Sequence, residues 1–138
     1  MANAMYRSYK NRIWGSGSLH LPDLDADVIK ASLVDSADYT VAITTDDAFN
    51  DVPSGGVVAS ATLGSVAISA GAVDAADTTF TAVSGDQSEL IVIWEDTAGA
   101  SSTDPLLWVY DTFSSGMPVT PNGGDIQIVW NASGLITL

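Results

Sequence analysis

A chain of 138 residues with 46% hydrophobic side chains holds enough sequence for one domain, and folding can bury roughly two thirds of its unfolded surface. It contains no cysteine, which excludes disulfides and thiolate zinc sites and suits assembly in a reducing cytosol. Its net charge of −13 opposes nucleic acid or an anionic membrane as a partner of the body.

The first segment differs from the rest. Arg7, Lys10, Arg12 and Lys30 are the four basic residues, so residues 1–22 carry three cations and no acid, while 23–138 carry 17 acids and one lysine. This asymmetry reads as a basic arm on an acidic body. No apolar run follows the first cations as in a signal peptide, and no later run reaches membrane-spanning length, so a soluble protein is expected.

Met5, Tyr6, Tyr9, Ile13 and Trp14 recur at helical spacing, which predicts a short amphipathic helix over residues 2–14. Gly15, Ser16, Gly17 and Ser18 then break the pattern as a flexible linker. Residues 1–18 are therefore expected to form an N-terminal arm or helix with its linker, and 19–138 the β-sandwich domain. The segment either docks on its own sheet or reaches a neighbour. In the second case Tyr6, Arg7, Tyr9, Lys10, Arg12 and Trp14 are the candidate contacts, since aromatic and arginine side chains anchor interfaces.

Leu19 to Leu21 suggests a brief edge strand, ended by Pro22 and the turn-rich 23–27. Alternation then predicts strands over 28–34 and 39–44, split by a turn at 35–38. Residues 45–52 have a capping residue, early acids and an apolar pair, as in one or two helical turns stopped by Pro53. Modest strands follow at 57–62, 65–70 and 78–83, with a turn at 85–88.

Leu90 to Trp94 is an unbroken apolar run, too short for a core helix and rich in β-branched side chains. It predicts a strand buried on both faces, with Leu90, Val92 and Trp94 on one side and Ile91 and Ile93 on the other. Residues 96–104 read as an exposed loop. A second double-sided strand, Leu106 to Tyr110, places Leu106, Trp108 and Tyr110 opposite Leu107 and Val109. The outer face of a two-layer sandwich is normally wet, so two double-sided strands call for extra cover from a helix, the N-terminal segment or another subunit. One small helix can hardly cover Ile91, Ile93, Leu107 and Val109, so a dimer or trimer is expected. Asn122-Gly123 marks a turn into a strand over 125–131, and 135–138 closes the chain. About eight short strands with frequent turns predict an all-β, two-sheet antiparallel sandwich, jelly-roll-like, with a short N-terminal helix or arm.

Chemistry is sparse. His20 is the single histidine, and every scheme that needs an imidazole must pass through it. No lysine follows position 30, so no phosphate-binding glycine loop can be completed. Glu89 with Glu95, or Asp96 with Asp104, supplies paired carboxylates of the glycosidase kind, but an acidic chain makes many such pairs by chance. Asp23, Asp25 and Asp27, and Asp46, Asp47 and Asp51, match no twelve-residue calcium loop and read as turn and capping residues. No enzyme, cofactor or metal is expected.

The opening Met1 to Ala4 with Tyr6, and the segments 29–40, 79–94 and 118–130, together resemble small proteins encoded among the structural genes of tailed bacteriophages and prophages. The resemblance carries no catalytic or ligand-binding motif. It implies a virion component, assembled in the host bacterial cytoplasm, of the kind of capsid decoration or cement protein that binds the major capsid protein from outside. Another virion position, in a tail or head fibre, and a carbohydrate- or host-binding β-sandwich module are the alternative expectations.

Overall fold

The computed structural model describes residues 2–137, so Met1 and Leu138 lie outside the described residues. Among the described residues the chain is all-β and antiparallel, with one α-helix. In order, it runs β1 (Ala4–Met5), α1 (Arg7–Ile13), β2 (Ile29–Val34), β3 (Val57–Thr62), β4 (Ala67–Ser69), β5 (Ala72–Asp74), β6 (Thr78–Phe80), β7 (Leu90–Glu95), β8 (Leu106–Tyr110), β9 (Ile126–Ile128) and β10 (Ile136–Thr137). The main sheet has the order β1-β8-β7-β2-β3. A three-stranded sheet, β10-β5-β4, and a two-stranded one, β6-β9, divide the second layer of the sandwich between them.

β7 is the middle strand and all six of its residues are buried. On one face Ile91 and Ile93 pack with Ala31, Leu33 and Leu107, under Phe80, Ile136 and the half-buried Val73, Ile126 and Ile128 from the smaller sheets. On the other face Leu90, Val92 and Trp94 pack with Val34, Leu106 and Val109. No sheet covers that side. Tyr6 from the N-terminal segment and Tyr39, Val41, Ile43, Phe49 and Val52 from the long β2–β3 connection lie over it instead.

This arrangement corrects two expectations. Ile91, Ile93, Leu107 and Val109 are at most 2% exposed within a single chain, so none of them needs a second subunit. Leu106 also lies on the opposite face from the one simple alternation gives it. Trp94 pairs with Leu106 while Ile93 pairs with Trp108, which leaves Leu107 as an extra residue in β8. Such a bulge reverses the phase of everything before it, so Leu106 joins Val109 and Leu107 joins Trp108 and Tyr110.

Other differences have similar local causes. Residues 39–44 alternate as a strand would, yet form no ladder. The Ile43 carbonyl accepts from Arg7, and the Ala42 carbonyl accepts from Thr45 and Asp46, so the alternation reports a segment lying across a sheet face. Residues 19–21 form no strand. The 65–70 segment yields β4, and β5 follows it through a two-residue turn in which Ala70 and Gly71 both have φ near the left-handed region, at 51° and 79°, as a tight hairpin requires.

Trp94 fastens the second core. Its ring stacks on Phe49 at 3.8 Å and 7°, and its Nε1 donates to Ser32 Oγ at 2.8 Å. The Ser32 and Ser60 hydroxyls are in turn 2.7 Å apart across β2 and β3. Removing the Ser32 hydroxyl strands a buried indole N–H, which costs about 1–3 kcal/mol. Ser32→Ala is therefore expected to lower the denaturant midpoint by that amount with an unchanged slope. Ile93→Ala, which opens the other core, should cost about 2–5 kcal/mol on the same assay.

Candidate functional site

The six candidate contact residues of the N-terminal segment divide into two sets. Tyr6 is fully buried, and Tyr9 and Arg12 are buried at 5% and 4% exposure, all within their own chain. Arg7, Lys10 and Trp14 are exposed. Residues 2–18 are thus built into the body, and the first set holds them there. The expectation that Tyr6, Tyr9 and Arg12 reach a neighbour is corrected accordingly.

Several bonds fasten the segment. β1 pairs with β8, Ala4 against Val109 and Met5 against Trp108, and the Tyr6 amide donates to the Leu107 carbonyl at 3.0 Å. The Tyr39 hydroxyl donates to Asp46 Oδ2 at 2.7 Å, which commits its one proton. The Tyr6 hydroxyl, 2.9 Å away, therefore donates to Tyr39. The same Asp46 oxygen accepts the Ala42 amide at 2.9 Å. Arg12 Nη2 donates to the Asp47 carbonyl at 2.9 Å, while its Nη1 is buried without a hydrogen bond. Burial lowers the Arg12 pKa, and the carboxylates of Asp47 and Glu95 act against that shift.

The Gly15–Ser18 stretch is a helix stop rather than a flexible linker. The Gly15 amide donates to the Arg12 carbonyl at 2.9 Å and the Ser16 amide to Asn11 at 2.8 Å, the two bonds of a Schellman ending. Gly15 takes the left-handed conformation, φ 80°, that this ending needs.

What the fastened segment presents outward is a patch. Trp14 is 85% exposed, Ile13 is 38% exposed, and Lys10 stands beside them. A cleft of about 600 Å³ runs between α1 and the β1–β8 edge, lined by Asn3, Met5, Lys10, Ile13, Trp14 and Trp108. The Trp108 Nε1 is buried with no hydrogen-bond partner.

A second cleft, of about 520 Å³, lies beside Tyr110, Phe113 and Trp130. Here the rings pack against one another, with centroids 6.0–6.5 Å apart. Trp130 Nε1 donates to Thr78, and the Tyr110 hydroxyl donates to the Leu135 carbonyl. These aromatic groups serve the fold's own packing.

Glu89 and Glu95 are held apart, and Asp96 and Asp104 each have a partner of their own. Glu89 accepts from the Ser36 amide and hydroxyl at one end of β7, and Glu95 lies at the other. Asp96 meets Lys30 Nζ at 2.6 Å, which holds its carboxyl below the ordinary range, while Asp104 accepts from Thr97. A grouping absent from the sequence reading joins His20 to Glu95, with Nδ1 3.0 and 3.1 Å from the two carboxylate oxygens and 3.7 Å from Asp27 Oδ2. Burial raises the Glu95 pKa, and the hydrogen bond from His20 opposes it. A glutamate closing a wholly apolar strand was the one sequence signal for this contact, and it named no partner.

Compared with known proteins, the chain matches no family model and no curated sequence.

All four tyrosines have phenol pKa values raised above the ordinary value of 10.0, chiefly by burial. A raised folded-state pKa means that the folded chain holds its phenolic protons more firmly than the unfolded one. The stability this represents is complete below the ordinary phenol value and drains away as pH rises above it. In an alkaline titration, phenolate absorbance should therefore stay flat through the ordinary range and rise together with the loss of near-ultraviolet circular dichroism. A tyrosine that ionises with a normal midpoint in the folded protein would contradict the burial described above.

Proposed function

We propose that the chain is a non-catalytic binding protein that attaches to a larger protein assembly through the Trp14 patch. In the form implied by its resemblance to phage structural proteins, it is a decoration protein that clasps the major capsid protein on the outside of the head. The observation that carries this reading is Trp14, 85% exposed at the end of a helix whose other aromatic residues are buried. Trp14 stands with Ile13 and Lys10 in one exposed patch, and tryptophan is among the residues that dominate interface energetics. Lys10 beside it and Arg7 at the start of the same helix add positive charge on a strongly acidic body.

The surroundings of His20 also favour binding over catalysis. The hydrogen bonds of its ring, among the described residues, run to Glu95 and not to a hydroxyl nucleophile.

Contacts through Trp14 supply affinity, and the two exposed cations set register and encounter rate. Trp14→Ala should leave the circular dichroism and melting temperature unchanged and weaken binding to undecorated capsids by about 2 kcal/mol or more, roughly thirtyfold. An Arg7→Ala, Lys10→Ala double variant should bind more slowly and with a shallower salt dependence. Full occupancy by Trp14→Ala, or no binding by the parent chain, would overturn the reading. Deleting residues 1–14 is not an equivalent test, because it removes Tyr6 and Tyr9 from the core.

A further inference from the structure

His20 and Asp27 stand on either side of a tight turn, closed by the Ala26 and Asp27 amides donating to the Asp23 carbonyl at 3.0 and 2.7 Å. That turn lies against the end of β7, where Glu95 is 4% exposed. We propose that His20 Nδ1, Asp27 Oδ2 and the Glu95 carboxylate together bind one divalent cation of the zinc or manganese type.

Three observations converge on this. First, the ligand atoms lie within 4.8 Å of one another. Ligands 2.0–2.2 Å from a shared ion stand about 3.0–3.6 Å apart, and the His20–Glu95 and His20–Asp27 separations of 3.0 and 3.7 Å bracket that interval. Second, both Glu95 oxygens and one from Asp27 face a single ring nitrogen. One N–H is shared between the two Glu95 oxygens, whereas a cation placed among these groups can take Glu95, Asp27 and the ring nitrogen as ligands together. Among the described residues, no lysine or arginine forms an ion pair with the buried Glu95. Lys30 is engaged by Asp96, and Arg12, whose guanidinium lies near enough to Glu95 to feel its charge, directs Nη2 to the Asp47 carbonyl. Third, the outer shell is in place. Asp27 Oδ2 also accepts the Asp23 amide at 2.7 Å, which fixes the carboxylate's direction.

The donor set, one imidazole and two carboxylates, suits zinc or manganese better than calcium, which prefers six to eight oxygens. The His20 side chain is 55% exposed, which gives an ion a route in and leaves room for water to complete the coordination. An ion here would clamp the 20–27 turn to the central strand. The half-buried Asp35 and the exposed Asp38 and Asp86 also lie close together, but they contain no imidazole and no fully buried group.

The test uses the full chain, stripped with a chelator and dialysed, then titrated with Zn²⁺ and separately with Mn²⁺ by calorimetry. The proposal expects one ion per chain and a higher melting temperature with Zn²⁺. His20→Ala and Asp27→Asn should each lose about tenfold or more in affinity. Both positions are at least partly solvent-exposed, so these variants keep the test sound if Glu95→Gln fails to fold. Mn²⁺ should also broaden the His20 ring and Asp27 amide resonances before those of Asp35 or Asp86. Absence of binding at one ion per chain, or affinity within twofold of the parent in both variants, would overturn the site and leave His20 and Glu95 as a hydrogen-bonded pair.

Discussion

β7 carries large apolar side chains on both of its faces, and a single sheet cannot keep water from both. The smaller sheets shelter Ile91 and Ile93, as the second layer of a sandwich should. The other face, with Leu90, Val92 and Trp94, has no such partner and is closed by irregular chain: Tyr6 ahead of α1, and the β2–β3 connection from Tyr39 to Val52. Irregular backbone over a core must satisfy its own polar groups, and here it does so through Asp46, which accepts from both Tyr39 and the Ala42 amide, and Asp51, which accepts the Asp47 amide. The abundant aspartates are in part the means by which loops substitute for a sheet.

The N-terminal segment follows from the same constraint. A basic stretch on an acidic chain invites a picture of a mobile tether, yet one of its three cations, Arg12, lies inside near the carboxylates of Asp47 and Glu95. Arg7 and Lys10 remain outside. The segment therefore does two things at once: its inward residues complete a core, and its outward residues display an indole on a framework that is already rigid. A rigid anchor loses little conformational freedom when it binds.

How much of this was legible in the sequence depended on whether the signal was local. The apolar runs at 90–94 and 106–110 announced double-sided strands because periodicity and branching are properties of a few adjacent residues. The identity of the cover was not local. Nothing in Tyr39, Val41 and Ile43 distinguishes a strand in a ladder from a segment laid across one, since both bury alternate side chains. The Leu107 bulge was equally hidden, because an extra residue is defined only against the partner strand. Gly15 to Ser18 reads as a linker by composition, but bonds to the carbonyls of Asn11 and Arg12 make it a cap. The His20–Glu95 contact spans most of the chain and joins two residues with no motif between them.

The pairing of β1 with β8 has a consequence for how the molecule is made. Ala4 leaves the ribosome long before its partner Val109. Until then Tyr6 and Tyr9 have no completed cleft to enter, and the Leu106–Val109 strand, once emerged, must be joined by a segment far upstream of it in the sequence. Closure of the barest β1 edge is thus a late, long-range event, and contacts of that kind are slow because a large loop must close before any stabilisation is gained. During that interval the nascent protein exposes an amphipathic basic segment beside an acidic, half-built body, and their opposite charges draw the two toward each other.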